Sequence, residues 1–174
     1  MLAPLIGVAL LLAACGGDDG TVSWRDVTID VPEGWTVFED EDTRLSLGNQ
    51  PLGQDVGEED RPEGDVVAMF FRHDPGVSPG DWRDHIEELE DSALESDDAI
   101  ELDGEIPATR MVYSHVTNGL PMREMVVLIP SRGIEILAQP VPDPGDTDGP
   151  DVFLEHVDTF VEVVDGARFG APVD

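Results

Sequence analysis

The sequence predicts an α+β fold, an antiparallel β-sheet of about six strands flanked by helices on both faces. Three apolar segments, Thr109 to Thr117, Met122 to Ile129 and Gly133 to Val141, are joined by tight-turn signals at Asn118-Gly119 and Ser131-Arg132-Gly133. That is the pattern of an antiparallel meander. The run Met125-Val126-Val127-Leu128-Ile129 is apolar at consecutive positions. Successive strand residues point to opposite faces, so both faces of this strand need cover. Two amphipathic segments of helical period, one around Trp82 and one around Phe160, are available to supply it.

In chain order, Leu2 to Ala14 is uncharged and almost wholly apolar. It is too short to cross a hydrocarbon core, which takes about 20 residues, and matches the h-region of a secretory leader. Leu12-Ala13-Ala14-Cys15 matches a bacterial lipobox, with cleavage after Ala14 and lipid on the new N-terminal Cys15. Cys15 is the only cysteine, so it forms no disulfide within the chain. No Lys or Arg precedes the apolar run, a departure from the usual positive n-region that puts the first residue in question before Cys15. Residues 15–23, with Gly16-Gly17-Asp18-Asp19-Gly20, read as a flexible tether. A single domain is expected over 24–170, with a tail at 171–174.

Val27, Ile29 and Val31 alternate with polar residues as in a half-buried strand, and Pro32-Glu33-Gly34 turns the chain. Short strands follow at Trp35 to Phe38 and Arg44 to Leu47. Asn49 to Asp65, acidic and rich in Gly and Pro, reads as a solvated or disordered loop. Val66 to Phe71 is a continuous apolar run and suits a strand covered on both faces. Ser78-Pro79-Gly80-Asp81 is a helix start, and Trp82, Ile86, Leu89 and Ala93 form one stripe, which predicts a helix ending near Glu95. Ile100 to Leu102 is the next strand, ahead of the meander. The last helix is expected from near Pro150, with Phe153, Val157, Phe160, Val161 and Val164 on its inner face and Gly166 as C-cap. Phe169 is expected to pack back on the core.

The 39 Asp and Glu stand against nine basic residues, every one an Arg, for a formal net charge of −30. Such a surface repels nucleic acid and anionic headgroups, so nucleic acid is not an expected partner. A high-salt setting and a genome that replaces Lys by Arg both account for this composition without a dedicated acidic site.

No G-x-S-x-G elbow and no H-E-x-x-H is present. His73, His85, His115 and His156 are scattered, and Ser114-His115 is the nearest approach to a nucleophile and base. Asp146, Asp148, Gly149 and Glu155 match positions 3, 5, 6 and 12 of a calcium loop, but Pro144 stands at position 1 and no helix precedes it. This is not an EF-hand. Asp143, Asp146, Asp148 and Asp151 remain the candidate ligands of a hard cation such as Ca2+. The competing reading is a solvated acidic turn that caps the last helix. Trp24, Trp35 and Trp82 are read as core anchors, with an aromatic binding surface as the alternative.

Three segments resemble the PsbP-like/Mog1-like α/β/α sandwich families, in particular their small bacterial lipoproteins. They are Ile29-Asp30-Val31-Pro32-Glu33-Gly34-Trp35, Leu102-Asp103-Gly104-Glu105-Ile106-Pro107-Ala108, and the closing helix into Ala167-Arg168-Phe169. The resemblance covers roughly residues 24–170, and the long acidic insert departs from the compact family pattern. It implies an antiparallel sheet with helices on both sides. It carries over no catalytic residues, because these families mostly serve as binding or assembly accessories. The expected function is therefore a lipid-anchored, extracytoplasmic, non-enzymatic accessory or binding domain. It is held to the membrane through Cys15 and meets an envelope protein or small ligand. The alternative is an envelope metal-assisted hydrolase that uses the acidic loops.

Overall fold

The structure, a computed structural model, describes residues 20–49, 65–73, 77–141 and 147–171. The leader, Cys15, most of the tether, the acidic loop between Asn49 and Asp65, Asp143, Asp146 and the last three residues lie outside the described residues.

The chain runs β1 (Thr21–Trp24), β2 (Val27–Asp30), β3 (Thr36–Asp40), β4 (Arg44–Gly48), β5 (Val66–Arg72), α1 (Pro79–Glu88), β6 (Glu90–Leu102), β7 (Ile106–Thr117), β8 (Leu120–Ile129), β9 (Ile134–Pro140), α2 (Gly149–Asp165) and β10 (Arg168–Phe169). All strand pairs are antiparallel. They form a seven-stranded sheet in the order β3-β4-β5-β9-β8-β7-β6 and a separate three-stranded sheet in the order β1-β2-β10. The expected sheet of about six strands is thus two sheets. β1 begins at Thr21, inside the segment expected to be tether.

The meander forms as its turns dictate. Asn118 and Gly119 take φ of 51° and 80°, the left-handed pair of a two-residue hairpin turn, and Thr117 then pairs with Leu120. A short 3-10 turn at Pro130–Arg132, closed by Gly133 at φ 61°, leads from β8 into β9.

The first helix is shorter than its stripe predicts. A capping box at Ser78 and Asp81 starts it, and it stops at Glu88, not near Glu95. From Glu90 the chain is edge strand, with Ala93 opposite Ser114. Asp91 at φ 49° and two bulges, between Glu90 and Ala93 and between Leu94 and Ser96, absorb the change of direction. Ladder bonds to β7 outcompete a helical stripe whose last member, Ala93, buries little surface.

The main core joins Leu45, Leu47, Phe70, Met125, Val127, Ile129 and Ile136 of the large sheet to Phe153, Phe160, Val163 and Val164 of α2. Trp24, Val27 and Ile29 of the small sheet belong to the same cluster. A second cluster joins Ile86 of α1 to Met111, Tyr113, Val126 and Leu128. The two helices thus meet alternate residues of β8. α1 has ten residues, about 15 Å of helix, against a sheet of seven strands. It packs against β6, so the described residues do not build a full layer of helices on each face.

Asp26 fixes the small sheet to the large one. Its side chain, 1% exposed, is paired with Arg72 of β5 and, at 3.1 Å, with Arg132. The Trp24 indole N–H donates to the Glu41 carbonyl at 2.6 Å. The C-terminal strand is latched by the two-pronged Arg168–Asp30 pair, and Phe169 packs against the main core as expected. Trp24 and Trp35 are core residues, whereas Trp82 is half-buried in the second cluster.

Candidate functional site

The four acids proposed as cation ligands are only partly in view. Asp148 is the N-cap residue of α2, without a side-chain capping bond, and Asp151 lies in the first turn. Negative charge there complements the helix dipole. Among the described residues no group of three or more His, Cys, Asp or Glu is placed to hold a metal ion.

The histidines are less scattered than the sequence implies. Three belong to the side of the large sheet that α1 touches. On β7, His115 is 7% exposed and stacks on Tyr113, with ring centroids 5.6 Å apart. Across the ladder lies Glu124 of β8, 6% exposed, which accepts the Tyr113 hydroxyl at 2.5 Å. The second Glu124 oxygen is 3.2 Å from His115 Nε2. The geometry does not make a hydrogen bond, and neither ring nitrogen of His115 has a hydrogen-bond partner among the described residues. Burial and the Glu124 carboxylate push the Tyr113 phenol far up, so it stays a donor. Ser114, the neighbour in sequence, points to the opposite face of the sheet and forms no pair with His115.

A second buried carboxylate, Glu135 of β9, is 3.1 Å from His73 Nε2. Burial raises its pKa, while the charges of His73 and of His85 on α1 oppose the rise. Glu135 is paired with Leu128, four residues along β8 from Glu124. Strand rise and spacing put the Cα atoms of the two residues about 14 Å apart. Each has a histidine beside it.

Beyond α1, no helix of the described residues covers the same side of the sheet. Arg44 is paired with Phe71, and Phe71 with Glu135, so these residues share one face. A cavity of 570 Å³ there is lined by Phe38, Glu39, Arg44, Ser46 and Met69. Three of its polar members engage one another: Glu39 pairs with Arg44 and accepts the Ser46 hydroxyl at 3.0 Å. The Arg44 guanidinium holds the Glu39 carboxyl below the usual carboxylate range.

A second cavity, of 380 Å³, lies between the turn after β2 and the flank of α2. Glu33, Gly34 and Trp35 line one side and His156, Thr159 and Glu162 the other. This is where the fourth histidine lies.

The Tyr113–Glu124 pair had a signal in the sequence. A two-residue turn at Asn118-Gly119 fixes the register of the hairpin, and counting back from it sets Tyr113 opposite Glu124. Glu135 had none, because its partner His73 follows β5, which is distant in sequence.

No family model matches the chain, and no curated protein does. The chain is similar to a solved structure, the crystal structure of LpqN involved in cell envelope biogenesis of Mycobacterium tuberculosis. The match has 15% sequence identity, covers 90% of this chain and 87% of that chain, and has a TM-score of 0.44. Among the described residues no helix is long and apolar enough to cross a membrane.

Proposed function

We propose that this chain is a lipid-anchored, extracytoplasmic accessory domain of the cell envelope that binds a partner or small ligand and performs no chemistry of its own. One observation carries the reading: the only cysteine of the chain closes a lipobox, Leu12-Ala13-Ala14-Cys15, directly after an uncharged apolar run. Cys15 then acts as the acylation site, and its thiol is consumed in anchoring. The Gly-rich segment behind it holds the acidic domain off a like-charged membrane surface. The V-P-x-G-W and G-x-I-P-A segments support a PsbP-like/Mog1-like sandwich, with α1 on one side of the large sheet and α2 on the other.

Fractionation of a bacterial host tests this reading. The full chain is expected in the membrane fraction, and its Cys15→Ala variant in the soluble fraction or as unprocessed precursor. Unchanged membrane partition of the variant overturns the anchor. The hydrolase reading, with a hard cation at Asp143, Asp146, Asp148 and Asp151, draws on the absence of a capping bond from Asp148. A melting temperature raised by calcium would favour it, and one unmoved by calcium favours the accessory domain.

A further inference from the structure

We propose that the hairpin of β7 and β8 holds a copper ion among His115, Met122 and Glu124. This names the small ligand of the binding role given above and rests on that role, though not on the lipid anchor.

The hairpin register gathers the three side chains. His115 is paired with Met122, so the two share one face, with Cβ atoms about 4.5–5.5 Å apart. Glu124 follows Met122 by two residues and lies on that face as well. The three are 7%, 3% and 6% exposed in that order. Met122 is buried outside both apolar clusters. The Tyr113 hydroxyl donates to one Glu124 oxygen at 2.5 Å, which fixes the carboxylate and leaves the other oxygen 3.2 Å from His115 Nε2.

His115 itself points to a ligand. Buried polar groups are nearly always hydrogen-bonded. Both of its ring nitrogens are buried and have no such partner among the described residues. Two ligands of one metal ion, each bonded at about 2.1 Å and about 100° apart, are separated by about 3.2 Å. The ring nitrogen then aims about 40° away from the oxygen, at the ion between them, which makes a poor hydrogen bond. The contact of His115 with Glu124 has that separation and no hydrogen bond.

The donor set selects the metal. His115 and Glu124 alone fall short of three acidic or imidazole ligands, and the Met122 thioether supplies the third donor. One carboxylate gives too few oxygens for Ca2+ or Mg2+. A thioether is a soft donor and imidazole suits copper, so the pair favours copper over zinc. A single carboxylate balances the charge of Cu+ and leaves a dication uncompensated in a buried site. Cu+ is therefore the expected state. The His115–Met122 rung is two steps from the Thr117–Leu120 rung that closes the hairpin, so the path in from solvent is short.

The full chain carrying Cys15→Ala, which removes the one thiol able to compete for copper, is labelled with nitrogen-15 and with carbon-13 at the methionine methyls. It is titrated with Cu+ under ascorbate, with Zn2+ and with Ca2+. Cu+ is expected to shift the His115 ring nitrogens and the Met122 methyl together, saturating at one equivalent. His115→Gln and Met122→Leu are each expected to weaken binding by about tenfold or more, and His156→Gln to leave it unchanged. Met122→Leu conserves volume, and an unmoved Trp24 indole signal reports an intact core in each variant. The proposal is overturned if Cu+ leaves the His115 and Met122 signals in place, if Zn2+ moves them at lower concentration than Cu+, or if the His115 and Met122 variants bind as tightly as the parent. None of these results bears on membrane partition, which tests the anchor separately.

Discussion

Asp26 faces two guanidiniums, from Arg72 and Arg132, with its carboxylate out of water. Removing one partner of a buried ionic set strands the others, so Asp26→Ala is expected to lower stability by about 3–5 kcal/mol. Urea unfolding measures this, and a loss below about 1 kcal/mol contradicts it. Glu135 makes a different statement. Burial raises its carboxyl above the ordinary value, against the pull of His73 and His85. The folded state then holds that proton more tightly than the unfolded one. The resulting stabilisation is complete below the ordinary carboxylate pKa of about 4.3 and is lost as pH rises through the raised value. Glu135→Gln removes this titration. Across that window the parent is expected to lose stability relative to the variant as pH rises, and a constant difference between the two counts against the assignment. Little of this was legible in the sequence. Tyr113 and Glu124 follow from the hairpin count, but the partners of Asp26 and Glu135 lie at or beside the ends of β5 and β8, which only the finished sheet brings near them.

At the scale of elements, the legible parts are those fixed by local chemistry. The Asn118-Gly119 turn, the consecutive apolar run of β8 and the inner stripe of α2 each impose one answer. The illegible parts are those decided by pairing. The segment after Leu89 continues a helical stripe in sequence and becomes the edge strand β6 because β7 offers it a ladder. β1 and β10, four and two residues long, pair with β2 as their one strand neighbour among the described residues. Close approach is also a property of elements. A Cβ built on Gly48 of β4 meets the Val66 carbonyl oxygen at 2.3 Å, which is backbone and has little freedom to give. Gly48→Ala is therefore expected to cost about 1–3 kcal/mol, through forced separation of β4 and β5. Calorimetry checks it, and an unchanged melting temperature refutes the close approach.

Over the whole molecule, one sign of charge dominates. A net −30 on one small domain repels itself, and the Arg–carboxylate pairs at Asp30, Glu39, Glu95 and Asp97 offset only part of it. Added salt screens this repulsion, with a Debye length falling from about 10 Å at 0.1 M to about 3 Å at 1 M. The melting temperature is accordingly expected to rise with KCl over that range, and a flat profile contradicts the self-repulsion. The same charge opposes docking on a like-charged membrane, so the proposed function assigns attachment to the lipid on Cys15. The most direct test is mass spectrometry of the N-terminal peptide of the protein recovered from a bacterial envelope. The account predicts a peptide that begins at Cys15 and bears a diacylglyceryl thioether on its sulfur. An unmodified peptide that runs through Ala14-Cys15 uncut contradicts it.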